Sequence, residues 1–544
     1  MKYIKEMKYI LLVIGLGLVL GSCEKFLEET PTGSLTDETT ITSIPGGVAL
    51  TTGAYRSLPG WLSGAVHWGG SLPGGLEYAT GKAYSQYQAT ELWKFETNVE
   101  SGDSEYFVLP WNNWYQGVRD CNLALKMLPN VSDMTNEDIS KNMGEVRTLR
   151  AFYYFCLVRH YGDVIYNTSI LTDIGEASRE RVSLVSIYDK IIVPDLEFAI
   201  ASSLASGQSS GRVTKDVARA ILADVYLTMA GYPYQEARTD TTKAWCKDGL
   251  WSMTEYPVNT SSARELLQKS KTQLDALYGD YPIGDLHDIN NPAMDNKGGA
   301  IFQIQFLAGS QNNGLVNTSI PLTANTSVYG VETGTYIPSL AYHDSYNPAD
   351  LRIVDRTYFY YSDNKSTKYD PNEGPAGKFP LPFIYKFYDV HAIKVSGQSG
   401  LNFNLYRYAD ILLMLTEVNW SLSQLGTSVS AADIEKGFNE VRVRAGLPTL
   451  LASELDLSII MGERAYELIF ENKMLFDMRR TRKALVDGSG KFNGIENFVG
   501  HQPTNFNFQF SAQHLLAPIS ATEIDNNREC QQNFGWSPQQ VAGE

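Results

Sequence analysis

The run Glu145-Val146-Arg147-Thr148-Leu149-Arg150-Ala151-Phe152-Tyr153-Tyr154-Phe155-Cys156-Leu157-Val158-Arg159-His160-Tyr161-Gly162-Asp163 decides the fold class. Val146, Leu149, Tyr153, Cys156, Leu157 and His160 recur at three- and four-residue steps, the spacing that lines one face of an α-helix. Gly162-Asp163 then ends the pattern. So apolar and aromatic a face predicts a core helix, with Cys156 as a buried, unreactive thiol inside it.

The same periodicity returns on either side of intervening loops. Ser186 to Leu204 repeats it, and Thr214 to Ala230 adds Ala218, Ala220 and Ala223, small residues that let a second helix approach closely. Arg264 to Tyr278, Tyr406 to Ser423, Ala431 to Ala445 and Ser458 to Arg482 extend the series. The expectation is a mostly α protein, its helices arranged as tetratricopeptide-like pairs, although the strict repeat signature is missing. Between the helical blocks, Ala300 to Phe306 alternates as a strand does, and residues 279–400 are otherwise rich in Gly, Asn, Thr and Tyr. A long irregular stretch of that kind predicts a loop-built, functional surface.

Composition narrows the function. The 544 residues carry a net charge of −16. Removing the first 22, with three Lys and one Glu, takes the remaining 522 to −18, a balance that repels phosphate backbones and excludes nucleic acid as a partner. Cys121, Cys156, Cys246 and Cys530 form no C-x-x-C pair and have no histidine at metal-ligand spacing, so neither structural zinc nor a disulfide is predicted, and no cofactor is expected.

Lys2, Lys5 and Lys8, the apolar stretch Tyr9 to Leu20, and then Leu20-Gly21-Ser22-Cys23 resemble a bacterial lipoprotein signal. The resemblance implies cleavage before Cys23 and acylation of that residue, with membrane attachment through lipid alone. Residues 1–22 then form the signal peptide and 23–44 a polar tether. A single body spans 45–544, made of an N-terminal scaffold with aromatic loops (45–278), a loop-rich insertion (279–400) and a C-terminal helical part (401–544).

Several segments in this order are similar to the SusD/RagB family, surface lipoproteins of Bacteroidota that capture nutrients. They are the opening run; Arg181-Val182-Ser183; Gly211-Arg212-Val213-Thr214-Lys215; Arg407-Tyr408-Ala409-Asp410; Asn439-Glu440-Val441-Arg442-Val443-Arg444-Ala445-Gly446; Glu463-Arg464-Ala465-Tyr466-Glu467 through Phe476-Asp477-Met478-Arg479-Arg480; and Gln532-Asn533-Phe534-Gly535-Trp536. The chain departs from the family's frequent Ala-Glu-Ala after the Arg-Tyr-Ala-Asp helix, reading Leu415-Thr416-Glu417-Val418, a packing variation. The resemblance implies a helical scaffold seated on a SusC-like TonB-dependent transporter in the outer membrane. Arg150, Arg159, Asp163, Arg407, Asp410, Arg444, Glu463, Glu467 and Arg479 are expected to serve structure, as paired charges, caps and carbonyl contacts.

A sugar needs a flat aromatic for its C–H face and amide, carboxylate or guanidinium groups for its hydroxyls. Trp61, Trp68, Trp93, Trp111 and Trp114 fall within one short region. Trp111 and Trp114 read as core at a helix start. By position in the resembling family, ligand contacts are expected at Trp68, Glu77, Tyr84, Tyr87, Trp93 and Asn98, with Tyr329, Glu332 and Tyr336 from the central region. Peptide capture and glycoside hydrolysis are the alternatives. The sequence lacks an H-E-x-x-H helix and a phosphate loop, so no enzyme is expected. His287, within Asp285-Leu286-His287-Asp288, is expected to cap its loop.

Overall fold

A computed structural model describes residues 43–59, 76–85, 105–170, 178–208, 210–239, 254–319, 336–360, 383–389, 392, 396, 398–488, 490–504 and 506–536. Helices dominate it. Among the described residues, those of eight residues or more are, in chain order, α1 (Ile44–Gly53), α2 (Glu105–Met127), α3 (Asn136–Tyr161), α4 (Val193–Ala201), α5 (Lys215–Met229), α6 (Ser261–Asp275), α7 (Tyr408–Gln424), α8 (Ala431–Arg444), α9 (Leu457–Glu467) and α10 (Met474–Thr481). Strands are short and paired two by two: β1 (Ala83–Ser85) with β5 (Tyr336–Pro338), β2 (Val164–Ile165) with β3 (Arg181–Val182), β4 (Ala300–Ile304) with β8 (Phe403–Arg407), β6 (Phe359–Tyr360) with β7 (Phe383–Ile384), and β9 (Lys483–Leu485) with β10 (Ile495–Asn497).

Helix starts follow from local chemistry. Thr135 and Asp138 form a reciprocal cap on α3, and Thr214, Thr260, Ser430 and Asp456 each accept a backbone N–H from the first turn of α5, α6, α8 and α9. The helix that opens the sequence reading spans nine residues more at its N-terminus than the apolar periodicity marked, and it ends at Gly162, whose φ of +77° suits glycine.

Each helix packs on the next in sequence: α2 on α3, α3 on α4, α4 on α5, α5 on α6, α6 on α7 and α7 on α8. This stacked array is the tetratricopeptide-like arrangement expected. Ala218, Ala220 and Ala223 are fully buried, and Ser270 of α6 reaches across to donate to the Ala223 carbonyl at 2.8 Å. Close approach recurs where α8 crosses α7: a Cβ on Gly437 would stand 2.5 Å from the Leu412 carbonyl oxygen. Along α7, every residue from Tyr408 to Leu422 is buried, which makes it the axis of the array.

Three stretches differ from the sequence expectation, the first being Ser186–Leu204, which is a short helix Leu184–Ile187, a π-helical turn Tyr188–Ile192 and then α4. Residues up to Arg407 extend as β8 before α7 begins, because they pair with β4. Ser458 to Arg482 is two helices rather than one, since Phe470 and Asn472 turn through left-handed φ of +67° and +63° between α9 and α10. Trp111 and Trp114 are core residues, as read from the sequence. Cys121, Cys156 and Cys530 are buried, and burial pushes the Cys156 thiol up to about 12. Cys23, Cys246 and the residues assigned to signal and tether before Ser43 lie outside the described residues.

Candidate functional site

The β1–β5 ladder gathers the two regions that the sequence reading pointed to. The strands run antiparallel, with Ala83 opposite Pro338, Tyr84 opposite Ile337 and Ser85 opposite Tyr336. In that register the chain running on to residue 86 and the chain arriving from residue 335 meet the ladder at the same end. Strand β5 also packs on β7, whose pairing with β6 closes the stretch 361–382. Three segments distant in sequence, 86–104, 320–335 and 361–382, therefore share one root.

That root is built from aromatic rings and buried polar groups. Tyr336 lies edge-on to Tyr78, with centroids 5.6 Å apart, and to Phe470, at 5.4 Å. Lys82, just before β1, is buried in an ion pair with Asp487 and sits over the Phe492 ring. Burial lowers its pKa, and the Asp487 carboxylate opposes that shift. Asp487 also accepts from the Thr504 hydroxyl at 2.8 Å, while the Lys82 carbonyl accepts from Ser339 N–H at 2.8 Å. Phe492 in turn stacks on Tyr466 at 4.8 Å.

Glu77 and Tyr336 are each 1 % exposed, which corrects their expected role as ligand contacts. The physical reason is their position: Tyr336 packs inward among rings, and Glu77 Oε1 accepts the Asn472 N–H at 2.9 Å beneath the ladder. Among the described residues, Glu77 Oε2, the Tyr336 hydroxyl and both amide atoms of Asn472 are buried with no hydrogen-bond partner. Burial pushes the Glu77 carboxyl up to about 7, against the opposing pull of the Asn472 N–H and Lys386, while Glu471 adds to the rise. Both residues belong to the foundation of the face. Tyr84 occupies the middle of β1, on the ladder itself. Trp61, Trp68, Tyr87, Trp93, Asn98, Tyr329 and Glu332 lie outside the described residues.

The family-matching charges hold the scaffold, as expected. Arg150 bonds both Asp195 oxygens, at 2.7 and 2.9 Å, and Arg159 pairs with Asp224. Asp163 accepts the Leu184 N–H at 2.8 Å, and Arg479 donates to the His514 carbonyl. Asp410 is clamped between Arg464 and Lys473, and Glu467 accepts from Arg352, Arg407 and Arg444. These cations hold Glu467 well below the usual carboxylate range despite its burial. His287 caps its loop: its backbone N–H and ring Nδ1 both meet Asp285 Oδ1 at 2.9 Å. Among the described residues, no group of three or more His, Cys, Asp or Glu is arranged to hold a metal.

Sequence reasoning missed Lys82, Asp487 and Asn472. Asp487 lies 405 residues from Lys82, and a three-residue strand carries no periodic signal to announce its partner.

Two family models match the chain: the SusD family over residues 357–536, and the family described as starch-binding associating with outer membrane over residues 74–227. The SusD-like protein P2 of Formosa agariphila is 24 % identical, with 97 % of this chain and 99 % of that protein covered. Among solved structures, a SusD superfamily protein from Parabacteroides distasonis is 31 % identical, with a TM-score of 0.77, over 92 % of this chain and 100 % of its own. Surface glycan-binding protein A from Bacteroides uniformis shares the fold, with 19 % identity and a TM-score of 0.68, over 90 % of this chain and 99 % of its own.

Proposed function

The chain belongs to the SusD/RagB family of Bacteroidota, and from that premise we propose that it captures an oligosaccharide or polysaccharide at the cell surface and delivers it to a SusC-like TonB-dependent transporter. The observation that carries this reading is the β1–β5 ladder, which roots the aromatic-rich segment 86–104 and the central segment 320–335 on one edge. Trp68, Tyr84, Tyr87, Trp93, Asn98, Tyr329 and Glu332 are the proposed ligand contacts, the rings taking the sugar's C–H faces and the polar groups its hydroxyls. Lipid on Cys23 holds the body at the outer membrane, consistent with the family described as associating with that membrane and with a solved relative named as a surface glycan-binding protein. None of the described helices is long and apolar enough to cross a membrane. The cargo passes on without chemical change.

Isothermal titration of the protein with plant and host oligosaccharides tests the reading. A glycan that binds should lose about tenfold or more in affinity on Trp93→Ala or Trp68→Ala, as a stacked aromatic anchor implies. No reducing ends should appear on prolonged incubation. Binding of peptides with no glycan bound at millimolar concentration would replace this reading with peptide capture.

A further inference from the structure

Helix α1 presents to solvent what a surface helix normally buries. Its ten residues, Ile-Pro-Gly-Gly-Val-Ala-Leu-Thr-Thr-Gly, include no charged side chain, whereas a helix on the outside of a globular protein normally turns a charged or polar face to water. The small residues face inward. Gly46, Gly47 and Thr51 are buried, a Cβ on Gly47 would stand 2.6 Å from Met134 Cε, and the Thr51 hydroxyl donates to Asn142 Oδ1 at 2.8 Å. Ile44, Pro45, Val48, Ala49 and Thr52 take the outward positions on successive turns, with Ile44 49 % and Val48 43 % exposed. Alongside, α2 adds Leu123, 36 % exposed, and the exposed cations Arg119 and Lys126, and Arg56, just past α1, joins them. Arg56 and Arg119 share Asp120, so the edge is locally basic on a chain of net charge −16. The acidic surface resumes at Asp133, Glu137 and Asp138, on either side of Met134 and into α3.

An uncharged apolar strip edged with cations is the pattern by which a helix settles at the boundary between lipid headgroups and acyl chains, anionic headgroups answering the cations. Position along the chain supplies the occupant. Nineteen residues separate Cys23 from Ser43, the cap of α1, so a lipid on Cys23 lies within a contour of at most about 70 Å from this helix. We infer that the edge formed by α1 and α2 docks the body on the lipid surface, with Ile44, Val48 and Leu123 at the acyl boundary and Arg56, Arg119 and Lys126 on anionic headgroups. The inference rests on the lipid anchoring proposed above and adds a second contact to it. A weak patch is enough, because the anchor makes docking intramolecular, at an effective concentration of roughly millimolar. A docked body holds one orientation over the membrane, which a tether alone does not impose.

The test places the full acylated protein, labelled at its Ile, Leu and Val methyl groups, in nanodiscs of phosphatidylcholine and phosphatidylglycerol, with and without a lipid carrying a nitroxide just below the headgroup. Methyl NMR signals are then compared. Those of Ile44, Val48 and Leu123 should fall to about half or less beside the nitroxide, as groups at the acyl boundary do. Leu307 and Val443, 66 % and 61 % exposed on other elements, should keep theirs. Val48→Glu, at an exposed position, should restore the Ile44 and Leu123 signals while the protein stays on the disc through its lipid. Replacing phosphatidylglycerol with phosphatidylcholine should weaken the broadening. Protein that loads on the disc with Ile44 and Val48 unaffected, or with Leu307 and Val443 broadened equally, would overturn the docking and leave the anchoring standing. Protein that does not load at all would overturn both. Signal changes at Ile44 and Val48 that require a co-purifying transporter in the disc would assign the face to protein and overturn the lipid contact.

Discussion

Two buried polar regions meet at the loop Phe470–Asn472, and they are built differently. On one side Arg352, fully buried, pairs with Asp350, Glu463 and Glu467, while Arg407 joins Glu467 to Glu471 and Lys386 closes the set on Glu471. On the other side, Glu77, Tyr336 and Asn472 leave four polar atoms without partners among the described residues beneath the β1–β5 ladder. Neighbouring residues of one turn face the two ways: Glu471 enters the network and Asn472 meets Glu77. The network ties β8, α8, α9 and the 350–358 segment together, with Glu463, Glu467 and Glu471 each meeting cations from more than one element. The ladder root has spare polar capacity instead. A scaffold so cross-tied resists change, whereas a root with unmet hydrogen bonds responds to a single proton.

Breaking the network should produce the largest effect. Glu467→Gln removes the charge that Arg352, Arg407 and Arg444 share, and chemical denaturation should show a loss of about 3–5 kcal/mol, the usual consequence of stranding buried cations. A loss under 1 kcal/mol would show that the network is loosely coupled to folding.

The root should behave in the opposite sense. Because the folded Glu77 carboxyl is raised from 4.5 to about 7, the folded state holds that proton more tightly than the unfolded chain. The corresponding stability is present at low pH, declines as pH rises from 4.5 to about 7, and is gone above that. Glu77→Gln, which keeps an acceptor for Asn472 N–H without the charge, should therefore be more stable than the parent at pH 8, by roughly 3 kcal/mol as a ceiling, and should converge with it near pH 4.5. Denaturation midpoints of the two proteins across that range decide the matter. A variant as damaged at pH 8 as Glu467→Gln would erase the contrast between the regions.

The smallest effect calibrates both. Lys271 and Asp275 pair at 2.6 Å along the exposed side of α6, and Lys271→Ala should cost no more than about 0.5 kcal/mol, vanishing in high salt. A larger change would mean that surface charge, rather than burial, sets the scale for this protein.

Much of the scaffold was legible because helices write their packing into local spacing. Three- and four-residue apolar steps located α3, and the small residues Ala218, Ala220 and Ala223 announced the close approach of α6. The ladder was not legible in this way. Three residues per strand give no period, and the pairing of Ser85 with Tyr336 depends on what packs behind each of them. Aromatic content alone likewise could not separate Tyr336, which is sealed between Tyr78 and Phe470, from a ring offered to a ligand. Glu77 was misread for the same reason, since a carboxylate carries no mark of burial in its own neighbourhood of sequence.

By itself the sequence determined the helical class, the order of the scaffold helices and the unreactive character of Cys156, because each follows from periodicity within a few turns, while the structural employment of the charged residues came from the family resemblance. Only the tertiary structure decided which segments share a root, that Glu77 and Tyr336 lie beneath it, and that Lys82 pairs with Asp487. Those are relations between residues tens to hundreds of positions apart, and they are fixed by how the helices stack rather than by any local preference of the chain.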